Sequence, residues 1–346
     1  MFSSLRLLRR IPIMMNNRLK KIAALLVAGV MVIGMTLTGC GNSSSGSGGG
    51  SAKGMKIFFS TLTLDTFKGM LQDAVVEGGK EAGVTVDVGA ECGSVDEQVA
   101  QIKQAVDAGY DAIICNPVDA TTALQLEVTA GDTPILFVNS QPDEQYLEPD
   151  KYMYVGSYDK DAGNFQAEYV WNKLGQPSSM NIVLFQGEPG HPAAGLRTTA
   201  VKEYYKKNGI DVTFVFNDTA YWDTAKAAEE FKLFLKTKQP FDAVICNNDS
   251  MAVGVVQAMR EVGLDPGKIP VVGVDATTEG CQSIIDGGMQ FTVYQSATGQ
   301  GAAAIQTAIA LATKGTAKGI EGLTEDGYYV WVPYEPVDAS NVKDYM

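Results

Sequence analysis

Histidine is nearly absent from these 346 residues: the chain has one, His191. Cysteine is scarce too, with five residues and no CxxC or CxxH spacing. A zinc site built from His and Cys is therefore excluded as a reading of the sequence. Basic residues are few, 27 Lys and Arg against 40 Asp and Glu, for a net charge of −13. A nucleic-acid partner needs a basic face, so none is expected. There is no G-x-S-x-G, no H-E-x-x-H and no phosphate loop. The common signatures of nucleophilic, zinc-dependent and phosphoryl-transfer chemistry are thus missing.

What is present is unevenly distributed. Six basic residues and no acidic one lie within residues 1–39: Arg6, Arg9, Arg10, Arg18, Lys20 and Lys21. "NNRLKK" reads as a positive n-region, and "IAALLVAGVMVIGMTL" as an apolar stretch too short for comfortable spanning. "LTGC" then sets Cys40 after small residues, like a bacterial lipobox, so Cys40 is expected to carry lipid. Translation from Met15 rather than Met1 would still give a complete signal. The next residues, "GNSSSGSGGGSAKG", lack apolar side chains and read as a flexible tether. A plain transmembrane anchor would leave both "LTGC" and the tether unexplained. The remaining cysteines, Cys92, Cys115, Cys246 and Cys281, are expected to be free and buried.

From Lys56 the chain alternates β-branched runs with amphipathic stretches. The strands read "KIFFST", "TVDVGA", "AIICN", "PILFVN", "YMYVGS", "NIVLFQ", "VTFVFN", "DAVICNN", "VVGVDA" and "FTVYQ". Most are apolar throughout, the mark of strands buried on both faces of a parallel sheet. Between them lie helical patterns such as "DEQVAQIKQAVDAGY", where Val99, Ile102 and Val106 share one face. Repeated βαβ units predict a doubly wound α/β fold. The rhythm breaks after Asn139 and resumes at Asn181, which predicts two similar sheets.

Ligands of open parallel sheets sit beyond the carboxyl ends of the strands. There the sequence places Asp65 and Phe67, then Asn139, His191, Arg197, Trp222, Asn247, Asn248, Asp275 and Gln295. Singly, each has an ordinary explanation as a helix cap or a core residue; Asp249, opening "SMAVGVVQAM", is expected to be a cap. Together they suit a polyhydroxylated ring. Hydroxyls both donate and accept, so carboxylates and amides serve them jointly. Aromatic rings such as Phe67 and Trp222 cover the C–H faces. His191 then reads as a hydrogen-bonding residue rather than a catalyst.

Four segments, "GEPGHPAAGLRTT", "DTAYWDTAKA", "NNDSMAVGVVQAM" and "VVGVDA", make residues 55–335 resemble the type I periplasmic sugar-binding proteins, closest in motifs to the galactose/glucose-binding member. The resemblance implies two doubly wound lobes joined by three crossings near "VGSYD", "YQSAT" and "YVWVP". The N-terminal lobe is expected over 55–157 plus 296–330, and the C-terminal lobe over 158–295 plus 331–346. It implies a ligand set of Asp65, Phe67, Asn139, His191, Arg197, Trp222, Asn248, Asp275 and Gln295, no catalytic residue and no cofactor. Asp65 and Asp275 are expected to balance the Arg197 charge. The partners implied are a monosaccharide such as glucose, galactose or a related pentose, the permease and ATPase subunits of an ABC importer, and conceivably a chemoreceptor. The protein is expected to be a monomer outside the cytoplasm, held to the membrane by lipid alone.

This chain departs from the galactose/glucose member at several positions. It has Ala193 where that member has an aspartate, Gln295 where it has an asparagine, and Ser140 where it has a lysine. "KLGQPSSMN" lacks the spaced carboxylates of its calcium loop, so no metal is expected. Other readings stay open on the residues: another polyol or signal, such as myo-inositol or a furanosyl quorum signal, and a glycosidase, which would need a placed carboxylate pair. A sugar-responsive repressor of this fold would need a helix-turn-helix in place of the export signal.

Overall fold

A computed structural model describes Ala52 and residues 54–346. The export signal, Cys40 and most of the tether lie outside the described residues.

The first sheet is built from β1 (Lys56–Ser60), β2 (Thr85–Val88), β3 (Ala112–Cys115), β4 (Ile135–Val138) and β5 (Tyr152–Gly156). Helices α1 (Thr66–Ala82), α2 (Val95–Asp107) and α3 (Ala123–Ala130) connect these strands. After α4 (Asp159–Lys173), the second sheet takes β6 (Ser179–Gln186), β7 (Asp211–Thr219), β8 (Ala243–Cys246), β9 (Val271–Val272) and β10 (Phe291–Tyr294). Its helices are α5 (Pro192–Lys207), α6 (Thr224–Leu235), α7 (Asp249–Glu261) and α8 (Thr278–Ile285). The chain ends with α9 (Ala297–Lys314), β11 (Tyr329–Trp331) and β12 (Glu335–Asp338).

The two sheets repeat one plan. Their orders are β2-β1-β3-β4-β5-β11 and β7-β6-β8-β9-β10-β12, and every pair is parallel except β10 with β12. All ten strands expected from apolar runs are present. The two added strands, β11 and β12, carry Tyr, Trp, Glu and Pro rather than a β-branched run. β11 completes the first sheet beside β5 and β12 the second beside β10, so each closes the edge of a sheet whose other strands come from elsewhere in the chain.

Burial explains the apolar strands. Every residue of β3, β4 and β8 is buried, because helices cover both faces. In the first sheet, α1 and α9 pack over one face around Leu71, Val75 and Ile305, and α2 and α3 over the other around Ile102 and Leu126. In the second, α4 and α5 enclose Ile182, Ile245 and Val201, and α6, α7 and α8 enclose Phe231, Val255 and Cys281. Close helix approach needs small residues: a Cβ on Gly301 of α9 would meet the backbone of Ala74 in α1. Cys92, Cys115, Cys246 and Cys281 are free and buried, with Cys115 and Cys246 in different sheets.

The chain passes between the sheets three times: at 157–158 after β5, at 295–296 after β10, and at 332–334 between β11 and β12. The strand ends of both sheets meet at one cleft.

Candidate functional site

The cleft is lined by Asp65, Phe67, Lys68, Asn139, His191, Ala193, Arg197, Trp222, Asn248, Asp275 and Gln295, with about 30 Å³ open to the centre of a water-sized molecule. All nine residues of the implied ligand set line it; Asn247, also placed at a strand end, does not. Lys68 was not among them; its spacing from Asp65, one turn along α1, was the available signal.

Several of these residues are caps as well as cavity walls. Asp65 caps α1, accepting from Lys68 N at 2.9 Å, while its other oxygen lies 3.0 Å from Lys68 Nζ. Asn248 caps α7, accepting from Met251 N at 3.0 Å. Asp249, expected to be that cap, is instead the first helical residue. Its carboxylate is fully buried and accepts from Thr292 Oγ1 and Thr277 N. Desolvation pushes its pKa up to about 7, and these bonds offset part of the cost. The cap falls to Asn248 because the preceding residue, Asn247, is spent on holding the strand end: its Oδ1 accepts from Gly187 N and Thr198 Oγ1.

His191 caps α5, its Nδ1 accepting from Ala193 N at 3.2 Å. The imidazole proton is therefore on Nε2, which is left to donate. Burial, helped by Lys68 and Arg197, lowers the His191 pKa to about 3. A neutral donor across physiological pH follows. The ratio of ligand affinities between the natural chain and His191→Asn should thus stay constant from pH 5 to 8. Titration calorimetry across that range checks it; a ratio that moves with a midpoint near ~6.5, the free-histidine value, would show a charged ring.

Arg197 is 3% exposed, and its guanidinium is held from several sides. Nε donates to Asp159 Oδ1 at 2.8 Å, and Nη1 to the Asn247 carbonyl at 2.7 Å. Nη2 donates to Gln295 Oε1 at 2.9 Å and to the Tyr334 hydroxyl at 2.8 Å. Tyr334 in turn donates to Asp159 Oδ1 at 2.8 Å. Burial works against the charge, but Tyr334, Asp159 and Asp275 outweigh it and raise the pKa. The expectation that Asp65 and Asp275 balance Arg197 needs correction. Asp159 is the close partner, Asp275 lies 3.9 Å from Nη1, and Asp65 pairs with Lys68. Asp159 opens α4 two residues after the expected strand "YMYVGS", within the expected crossing "VGSYD", and was not picked out as a site residue. Desolvation drives the Asp275 carboxyl well above the usual carboxylate range, against the pull of Arg197.

Trp222 presents its ring to the cavity. Gly187 lies under the indole so closely that a Cβ there would collide with it. His191 meets the ring edge-on at 5.3 Å between centroids, and the Arg197 guanidinium sits 6.0 Å from its centre. Phe67 belongs to the first sheet's core and also lines the cavity. Two polar atoms at this wall, Asn139 Oδ1 and Trp222 Nε1, are buried without a hydrogen-bond partner among the described residues. Buried polar groups are nearly always paired, so such orphans suit a ligand that supplies the partner. Backbone strain gathers here as well: Asn139, Trp222 and Asp275 have φ of 62°, 63° and 116°. Non-glycine residues at such angles cost on the order of 1–3 kcal/mol each and concentrate at functional sites.

Residues 57–317 match the family model for a periplasmic binding protein domain. The chain is 30% identical over 288 residues to the "Putative rhizopine-binding protein" of Rhizobium meliloti, covering 82% of this chain and 89% of that one. It is 31% identical over 260 residues to the D-galactose/methyl-galactoside binding periplasmic protein of Haemophilus influenzae, covering 71% and 77%. Among solved structures, an ABC transporter solute-binding protein from Bacillus halodurans with bound myo-inositol superposes with a TM-score of 0.74 at 30% identity, covering 86% of this chain and 98% of that one. Such relatives carry substrates for transporters and do not transform them. This chain belongs to the periplasmic binding protein family, as a sugar-binding protein of type I architecture and not an enzyme.

Proposed function

We propose that the chain is the lipid-anchored binding component of an ABC importer and that it captures one monosaccharide-sized cyclic polyol in the cleft. The observation that carries this reading is the convergence of Asp65, Asn139, His191, Arg197, Asn248, Asp275 and Gln295 with Phe67 and Trp222 around one cavity. Carboxylates and amides face hydroxyls, and the two aromatics, one from each sheet's half, cover the apolar faces. The lobes are 55–157 plus 296–331 and 158–295 plus 332–346, the expected boundary after 330 moving by one residue because Trp331 pairs in the first sheet, and a ligand touching both favours their closure. Permease and ATPase subunits receive the ligand; a chemoreceptor is a further partner open to this surface.

Within that class an inositol-type ring is favoured over glucose. Ala193 puts a methyl group in the cavity wall where the galactose/glucose member has a carboxylate, so this wall differs from that member's glucose site. Gln295 Oε1 accepts from Arg197, which takes part of its acceptor capacity. The solved relative bound to myo-inositol points the same way. A thermal-shift screen of hexoses, pentoses and inositols tests this, since a ligand at 100 times its Kd stabilises by about 2.7 kcal/mol. No shift from any of them would end the polyol reading.

Anchoring has its own test. Cys40→Ala should move the protein from the membrane fraction to the soluble fraction while the affinity for polyol stays unchanged, because the Ser/Gly segment separates Cys40 from the folded part. Continued sedimentation with membranes would contradict the lipobox.

A further inference from the structure

The chain crosses between the sheets three times, and each crossing sends one side chain to the same guanidinium. Asp159 follows the first crossing, Gln295 stands on the second and Tyr334 ends the third. They are 2%, 4% and 6% exposed. Arg197 has five N–H groups. Asp159, Gln295 and Tyr334 take three and the Asn247 carbonyl a fourth, leaving one hydrogen on Nη1 for a ligand. An arginine whose purpose was to fork onto a ligand would keep a pair of donors free. This one spends its donors on the hinge.

The geometry points to a hinge clasp: Asp159, Gln295 and Tyr334, all at the C-terminal-lobe ends of the crossings, are positioning residues that pin those three ends to Arg197, so that a ligand held by Arg197 and Gln295 steadies the base from which the other lobe swings. This rests on the polyol reading of the cleft. Tyr334 is the informative member, since its hydroxyl accepts from Arg197 and donates to Asp159. Its ring packs in the core between α4, α5 and the second sheet, so Tyr334→Phe keeps the packing and loses only the bridge. Without the bridge the ligand-free lobes sample more angles, and binding must overcome that spread.

The experiment compares the natural chain with Tyr334→Phe, and with Asp159→Asn as a second variant that keeps a hydrogen-bond acceptor but drops the charge. Calorimetry with myo-inositol measures affinity. A spin-label pair at Lys103→Cys and Glu229→Cys, in a Cys40→Ala background whose other cysteines are buried, measures the distance between lobes. The clasp predicts an affinity at least roughly fivefold weaker, a broader ligand-free distance distribution and a ligand-free melting temperature close to the natural one. A lower melting temperature with unchanged affinity and distances would overturn the proposal, leaving Tyr334 a packing residue only. So would a variant indistinguishable from the natural chain. If no polyol binds even the natural protein, the polyol reading fails, and the ligand-free distance distribution still decides the clasp.

Discussion

Replacing Arg197 with alanine is expected to remove measurable polyol binding and to destabilise the ligand-free protein as well. Deleting one partner of a buried ion pair leaves the other charge without compensation, typically at about 3–5 kcal/mol. Here that charge is Asp159, 2% exposed, with only the Tyr334 hydroxyl remaining at its Oδ1. The same deletion frees Gln295 Oε1, so the amide is no longer held by that bond. Loss of a desolvated charged partner costs binding about 2–5 kcal/mol, which is roughly 30- to 4,000-fold in affinity. Melting curves without ligand and calorimetry with it separate the two effects. Retained affinity would show that Arg197 braces the fold and nothing more.

Trp222→Ala is expected to weaken binding while leaving the fold nearly intact. The indole is only partly buried and packs at the edge of the core formed by α6, α7 and α8. Gly187 lies against the indole and the His191 ring stands nearly perpendicular to it, while the indole lines the cavity. Covering the indole with a ligand is worth roughly 1–3 kcal/mol, or about five- to 150-fold in affinity. The chain has three tryptophans. Ligand should therefore change the natural protein's emission, and the variant should lose most of the change. Unaltered affinity would make Trp222 a core residue.

The strands and the cavity were legible for the same physical reason. A parallel strand covered on both faces must be apolar throughout, as "AIIC" and "AVIC" are, and the residue that follows it necessarily stands at the sheet's carboxyl edge. Reading what comes after each apolar run was enough to reach Asp65, Asn139, Asn248, Asp275 and Gln295. β11 and β12 were not legible, because they are not apolar runs and, at a sheet edge, owe their pairing to neighbours distant in sequence. Asp159 and Tyr334 escaped for a related reason: their role depends on where crossings between the sheets meet, and periodicity carries no trace of that. Lys68 was hidden by its neighbour, since the first turn of α1 reads as a capped helix start whether or not its lysine is buried. The caps and the cavity are also not alternatives. Asp65, His191 and Asn248 cap helices and line the cavity at once.

Titration calorimetry with myo-inositol, glucose, galactose and xylose, on the natural chain and on Ala193→Asp, tests the central claim most directly. A cleft shaped for one cyclic polyol, with a wall at Ala193 unlike the glucose site of the galactose/glucose member, predicts one-to-one binding, tighter for myo-inositol than for glucose in the natural chain, with preference moving toward glucose in Ala193→Asp. Heat of binding from none of the four, or tight glucose binding that the substitution leaves unimproved, would contradict it.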